Sequence, residues 1–253
     1  MKNAIAYTFV FLGLQAAASL IVPALWKLVT GSADMTSTQM IVSVVAFSVV
    51  AIAVFLSVKW TEVSPRWIRT RPWTVLIWSV ILSLGALIPS TWLQEQLPEL
   101  PNFVEQEFSM ILSDRWGYLA IGLLAPLAEE IVFRGAVLRS LLSGRQPWVA
   151  IVISALIFAI SHLNPVQMPH AFLVGLLLGW MYWRTGSILP GVVYHWANNS
   201  AAYLLYAFYP NPDIRLIDIF KGSQLHVYMA LGFSLLIFLP ALYQLHLWMR
   251  RAE

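Results

Sequence analysis

Six polar residues interrupt long apolar stretches in the second half of the chain. They are Glu129, Glu130 and Arg134 in APLAEEIVFRGAV (125–137), His162 closing FAISH (158–162), and His195 and Asn199 in HWANN (195–199). On a helix, residues four apart stack on one face and neighbours diverge by about 100°. Glu130 then lies over Arg134 and can neutralise it, while Glu129 points elsewhere with no partner in its own helix. A structural ion pair accounts for Glu130 and Arg134 as well as a functional role does, but it leaves Glu129 over. His195 and Asn199 share a face, as do Phe158 and His162. One histidine near a helix end is commonly a packing residue, and a His–Asn pair can simply join two helices. A carboxylate, two imidazoles and an amide on three apolar segments are harder to explain together by packing. Glu129 can take a proton from water, and the histidines can orient that water or ligate a metal that acidifies it. The Asn199 amide can donate to a developing oxyanion. No Ser, Cys or Asp completes a nucleophile set, so the reaction class expected is water attack on an amide without a covalent intermediate. Asn198 faces away from His195 and His170 opens a helix; both are weaker candidates.

The elements that must position these residues are membrane helices. The 253 residues are 59% hydrophobic and only 11% charged, against about a quarter charged in an ordinary soluble domain. Too little polar material remains to cover a water-facing surface, so an integral membrane protein in contact with the lipid bilayer is expected. Cysteine is absent, which excludes disulfides, thiolate metal sites and thiol nucleophiles. No basic stretch interleaved with aromatics suggests a nucleic-acid surface. Apolar blocks of spanning length lie near 4–28, 38–58, 73–93, 116–141, 147–163, 170–184, 188–208 and 226–249. The expected fold is an all-α polytopic bundle of about eight transmembrane helices. The fifth and sixth are short and separated by LNPVQMP, whose prolines break helix. The first block runs on to Val29, too long for a typical signal-peptide core, and reads as an uncleaved helix. The longest polar link, 94–115, leaves no room for a soluble domain, so 1–253 reads as one membrane domain.

Positive charge sets the orientation. With the N-terminus inside, the inner flanks hold Lys2, Lys59, Arg66, Arg69, Arg71, Arg139, Arg145, Arg184, Arg250 and Arg251. The outer flanks hold Lys27, Arg115, Arg215 and Lys221. Both termini are therefore expected in the cytoplasm, and a bacterial plasma membrane is the expected location. At about 1.5 Å per residue, Glu129 lies roughly 15 Å from Arg139, His162 roughly 22 Å from Pro147 and His195 roughly 10 Å from Ile188. These depths bracket the middle of the membrane but spread by about 12 Å, a gap that helix tilt or a short fifth helix would have to close.

Other intramembrane protease patterns are missing: there is no HExxH, GxGD or GxSG, and NPD at 211–213 reads as a turn. EEIVFR (129–134), FAISH and HWANN resemble, in order, the EExxxR, FxxxH and HxxxN motifs of the CPBP family. That family, also called ABI or CAAX protease-like, includes the type II CAAX prenyl protease and bacteriocin-processing or bacteriocin-immunity proteins. The motif-bearing core covers about 116–208. The resemblance implies a CAAX-protease-like intramembrane protease fold with Glu129 as general base, His162 and His195 holding the water or a zinc ion, and Asn199 supporting the oxyanion. Glu130 and Arg134 would shape the site. The metal-free form is favoured over zinc, and His162 and His195 are the metal ligands if zinc is used. The expected substrate is a membrane-anchored protein or peptide, with nothing in the chain dedicated to a prenyl group. The alternatives are a non-catalytic immunity or binding protein of the same family, and a transporter with a Glu–His proton relay.

Overall fold

The computed structural model describes residues 2–63, 73–211 and 214–249. Arg66, Arg69, Arg71, Arg250, Arg251 and the Pro212–Asp213 part of NPD lie outside the described residues. All the regular structure among those residues is helical. Helices α1 (Lys2–Thr30), α2 (Ser37–Ser57) and α3 (Trp73–Glu95) precede a short α4 (Glu105–Leu112). A continuous helical rod over 118–142 follows, here α5, in which π-helical stretches Tyr118–Leu124 and Glu130–Leu138 alternate with α-helical Ala125–Glu129 and Arg139–Leu142. Then come α6 (Pro147–Ser161), α7 (Met168–Thr185), α8 (Leu189–Phe208), a single turn α9 (Leu216–Ile219) and α10 (Gln224–Trp248).

Each apolar block of the sequence forms one long helical element. Four of them, α1, α2, α3 and α10, are individually long and apolar enough to cross a membrane. Only 6% of the apolar window of α1 is buried within the protein, and 17% of that of α10. A water-soluble bundle turns such faces inward. Here Leu20, Leu28, Phe233 and Leu236 turn outward, as they must where lipid tails are the solvent. Two segments escaped the sequence reading. The amphipathic α4 sits in the 94–115 link, and α5 is not a uniform α-helix.

The ends of the elements follow local rules. Thr36 accepts a hydrogen bond from the Gln39 amide and so caps α2, and Gly186 closes α7 in the left-handed conformation (φ 64°), which costs glycine nothing. The α6–α7 break falls at LNPVQMP as expected, with Asn164 fully buried in it. The Asn164 side-chain oxygen accepts from the Phe103 amide at 2.9 Å and its NH₂ donates to Asn102 Oδ1 at 3.0 Å. The link after α3 is thus fastened beside His162. At the opposite end, Arg184 donates to the His246 and Met249 carbonyls at 2.9 and 3.0 Å. It satisfies acceptors that the C-terminus of α10 leaves open.

Helices α3 and α10 form the most extensive helix pair, followed by α6 and α7; α8 lies against α3, α7 and α5, and α1 and α2 close over α5. The α3–α10 approach depends on a missing side chain, since a Cβ on Gly85 would stand 2.8 Å from the Phe238 backbone nitrogen. Close backbone approach at small residues is the usual way membrane helices gain contact. Gly85→Ala should therefore cost about 1–3 kcal/mol by overpacking, read as a lower thermal midpoint in detergent. Gly13→Ala, which meets nothing within 4 Å, should leave that midpoint unchanged or raise it.

Candidate active site

The rod α5 changes helical register where the two glutamates sit: Glu129 ends an α-helical stretch and Glu130 begins a π-helical one. A π-helix holds more residues per turn, so neighbouring side chains diverge by less than in an α-helix. Glu129 and Glu130 consequently bracket one ring on α8. Glu130 Oε1 is 3.0 Å from His195 Nδ1, and Glu129 Oε2 is 3.6 Å from His195 Nε2. The imidazole that Glu129 faces is thus on α8, not on its own helix. The same widening shortens the rise along α5 and helps close the spread in depth between Glu129 and His195.

Glu130 also receives Arg134 Nη1 at 2.9 Å, one turn along. Both side chains of this ion pair are sealed, at 0% and 1% exposure, whereas that of Glu129 is 21% exposed. The buried guanidinium is further accommodated by stacking over the Phe158 ring, 4.3 Å from its centroid, an arrangement that suits a desolvated arginine. Its Nη2 reaches the Gly175 carbonyl on α7 at 3.5 Å. Two glycines let the helices close in on the pair. A Cβ on Gly191 would stand 2.7 Å from Glu130 Oε2, and one on Gly175 would stand 3.0 Å from Ala155.

Hydrogen-bond polarity fixes both histidines. A carboxylate in an ion pair only accepts, so His195 Nδ1 carries the proton donated to Glu130. His162 Nδ1 lies 2.9 Å from the Phe158 carbonyl, which also only accepts, so this Nδ1 carries a proton as well. Phe158 touches both rings edge-on, with centroids 4.8 Å from His162 and 6.0 Å from His195. The F of the FxxxH pattern thus spaces Arg134 and the two imidazoles.

Asn199 donates through Nδ2 to the Ile121 carbonyl at 3.0 Å. The cause lies in the backbone of α5. Ala125 N–H bonds to Ala120 five residues back. The next donor in that register would be residue 126, and Pro126 has no N–H. Asn199 fills the vacancy on Ile121 with one of its two hydrogens and retains the other. Glu129, Glu130, Arg134, His195 and, through Phe158, His162 are thus brought to one place, with Asn199 one turn beyond His195. Phe158, Gly175 and Gly191 shape the site and were not singled out from the sequence. Only the F of FxxxH pointed to one of them, Phe158.

A catalytic zinc with three protein ligands needs three donors around one point. Among the described residues no group of three or more His, Cys, Asp or Glu side chains is arranged to hold a metal ion.

Residues 111–201 match the family model described as Type II CAAX prenyl endopeptidase Rce1-like. This stretch, which is similar to that family, holds all three motifs. No curated protein and no solved structure matches the chain.

Removing one partner from a buried ion pair strands the other charge, at about 3–5 kcal/mol. Arg134→Met should therefore lose about that much unfolding free energy in detergent titrations. The double variant Glu130→Gln/Arg134→Met should recover most of the loss.

Proposed function

We propose that this chain, with its Rce1-like domain, is an intramembrane endopeptidase that hydrolyses a peptide bond of a membrane-associated protein or peptide with water activated by Glu129. The observation that carries the reading is the unequal pair of carboxylates. Glu130 is sealed against Arg134 and His195, while Glu129 is open and faces His195 Nε2 across 3.6 Å. That separation is too long for a direct hydrogen bond, but one water can bond to both atoms at once.

The chemistry then runs through named atoms. Glu129 takes a proton from the water while the imidazoles of His195 and His162 orient it. The hydroxide adds to the peptide carbonyl carbon, and the negative charge on oxygen meets the remaining N–H of Asn199. The C–N bond breaks as Glu129 returns the proton to the leaving nitrogen, giving a carboxylic acid and an amine. Glu130 plays the part of a buried orienting carboxylate. It holds His195 in one tautomer and does not touch the substrate, as in the triad logic of hydrolases. Glu130, Arg134 and Phe158 are thus positioning residues, and Glu129, His162, His195 and Asn199 are catalytic.

In this reading 1–253 acts as one membrane domain with 116–208 as its catalytic core. Its eight long helices cross the bilayer, with both termini in the cytoplasm of a bacterial plasma membrane. Lys59, Arg139, Arg145 and Arg184 lie on that side, in accord with the positive-inside rule.

Matched membranes from the native host, carrying wild type or Glu129→Gln at equal protein level, provide the test. All protein termini are mapped by mass spectrometry. Termini present with wild type should fall by about 10²–10⁴-fold in the variant, as for loss of a general base. Identical termini in both membranes would refute the peptidase reading.

A further inference from the structure

Asn198 was set aside as facing away from the site, yet it is 6% exposed with Oδ1 lacking any hydrogen-bond partner. Its NH₂ makes two long hydrogen bonds, to Asn199 Oδ1 at 3.3 Å and to His170 Nε2 at 3.4 Å. His170 belongs to the first turn of α7 and lies within electrostatic range of both His195 and His162. None of the chemistry derived so far uses either residue.

The direction of every hydrogen bond in this chain is dictated from one end. The Ile121 carbonyl, left without a donor by Pro126, can only accept, so the Asn199 amide must turn its NH₂ towards it. Asn199 Oδ1 then faces Asn198 and requires a donor there, which turns the Asn198 NH₂ inward. The second Asn198 hydrogen points at His170 Nε2, which must offer a lone pair. The His170 proton is therefore left on Nδ1.

We propose that Asn198 and His170 are positioning residues of the hydrolytic site, joined to Asn199 in a relay whose polarity is set by the missing amide hydrogen of Pro126. The relay fixes the Asn199 amide with its free N–H in one direction. It also holds His170 in a single neutral tautomer, so that no third proton donor turns towards the catalytic histidines. It ties α7, α8 and the π-helical start of α5 at one level. The role in hydrolysis rests on the peptidase reading; the tautomer does not.

The test therefore has two arms. In the first, the full-length protein is labelled with ¹⁵N-histidine and its ring nitrogens are observed by NMR in detergent without substrate. The His170 signals are assigned by their loss in His170→Gln. Wild type should show a protonated Nδ1 and a bare Nε2 on His170, and Asn198→Leu should give a mixture of tautomers. A proton on Nε2 in the wild type, or a tautomer unmoved by Asn198→Leu, would overturn the relay.

In the second arm, cleavage is timed on a substrate found by terminus mapping. His170→Leu should lower kcat by about ten- to a hundredfold with KM nearly unchanged, the cost of a slightly misplaced catalytic group. His170→Gln keeps an acceptor for Asn198 and should restore most of that kcat. Wild-type kcat in His170→Leu, or equal losses in both variants, would overturn the positioning role. A wild-type protein that cuts nothing would refute the peptidase reading and the positioning role with it, while the relay would still be decided by the spectra.

Discussion

The site depends on the burial of one carboxylate. Glu130 is closed off from solvent and lies between two nitrogen groups, the Arg134 guanidinium at 2.9 Å and His195 Nδ1 at 3.0 Å. A lone carboxylate at this depth would be strongly disfavoured, as would a lone guanidinium. Each therefore requires the other, and the pair requires the packing that excludes lipid and water around it. Gly191 and Gly175 supply that packing by omission, and Phe158 supplies a π-face to the arginine. Sealing Glu130 leaves its neighbour as the carboxylate that water can reach. Burial alone thus distinguishes two identical side chains adjacent in sequence.

The second constraint is in the backbone. A π-helical register is uncommon and often sits at functional sites. In α5 one π-helical stretch begins at Glu130, where two consecutive glutamates reach one imidazole. The same register leaves the Ile121 carbonyl to Asn199, and Thr61 reaches the Ile131 carbonyl further along at 2.6 Å. A Cβ on Gly135 would overlap Thr61 Cγ2, so the link after α2 can lie against the rod only at a glycine. The irregular helix is thus held by side chains from two other parts of the chain, and its unusual hydrogen bonding is what positions the amide of the HxxxN motif.

Much of this was legible in the sequence because the strongest signals are local. Apolar blocks of spanning length located the eight long elements, the two prolines of LNPVQMP marked the α6–α7 break, and four-residue spacing paired Glu130 with Arg134. Other features depend on contacts between segments far apart in the chain. Ideal α-helical spacing cannot show that Glu129 and Glu130 reach the same ring, since it assumes the register that α5 abandons. Nor can it show that Asn198 turns towards His170, because that contact crosses from α8 to α7. The small residues at helix crossings, Gly85, Gly175 and Gly191, carry no signal until the opposing backbone is known. The helix α4 was hidden by its brevity and its acidic first turn.

Chemical rescue tests the division between the two carboxylates most directly. Each glutamate is replaced in turn by alanine, and peptide cleavage is measured with and without added formate. The site of Glu129 is reachable, so formate should restore cleavage to Glu129→Ala in a saturable manner. The site of Glu130 is sealed and its loss strands Arg134, so the same anion should leave Glu130→Ala inactive. Rescue of Glu130→Ala without rescue of Glu129→Ala would contradict the assignment of the working carboxylate.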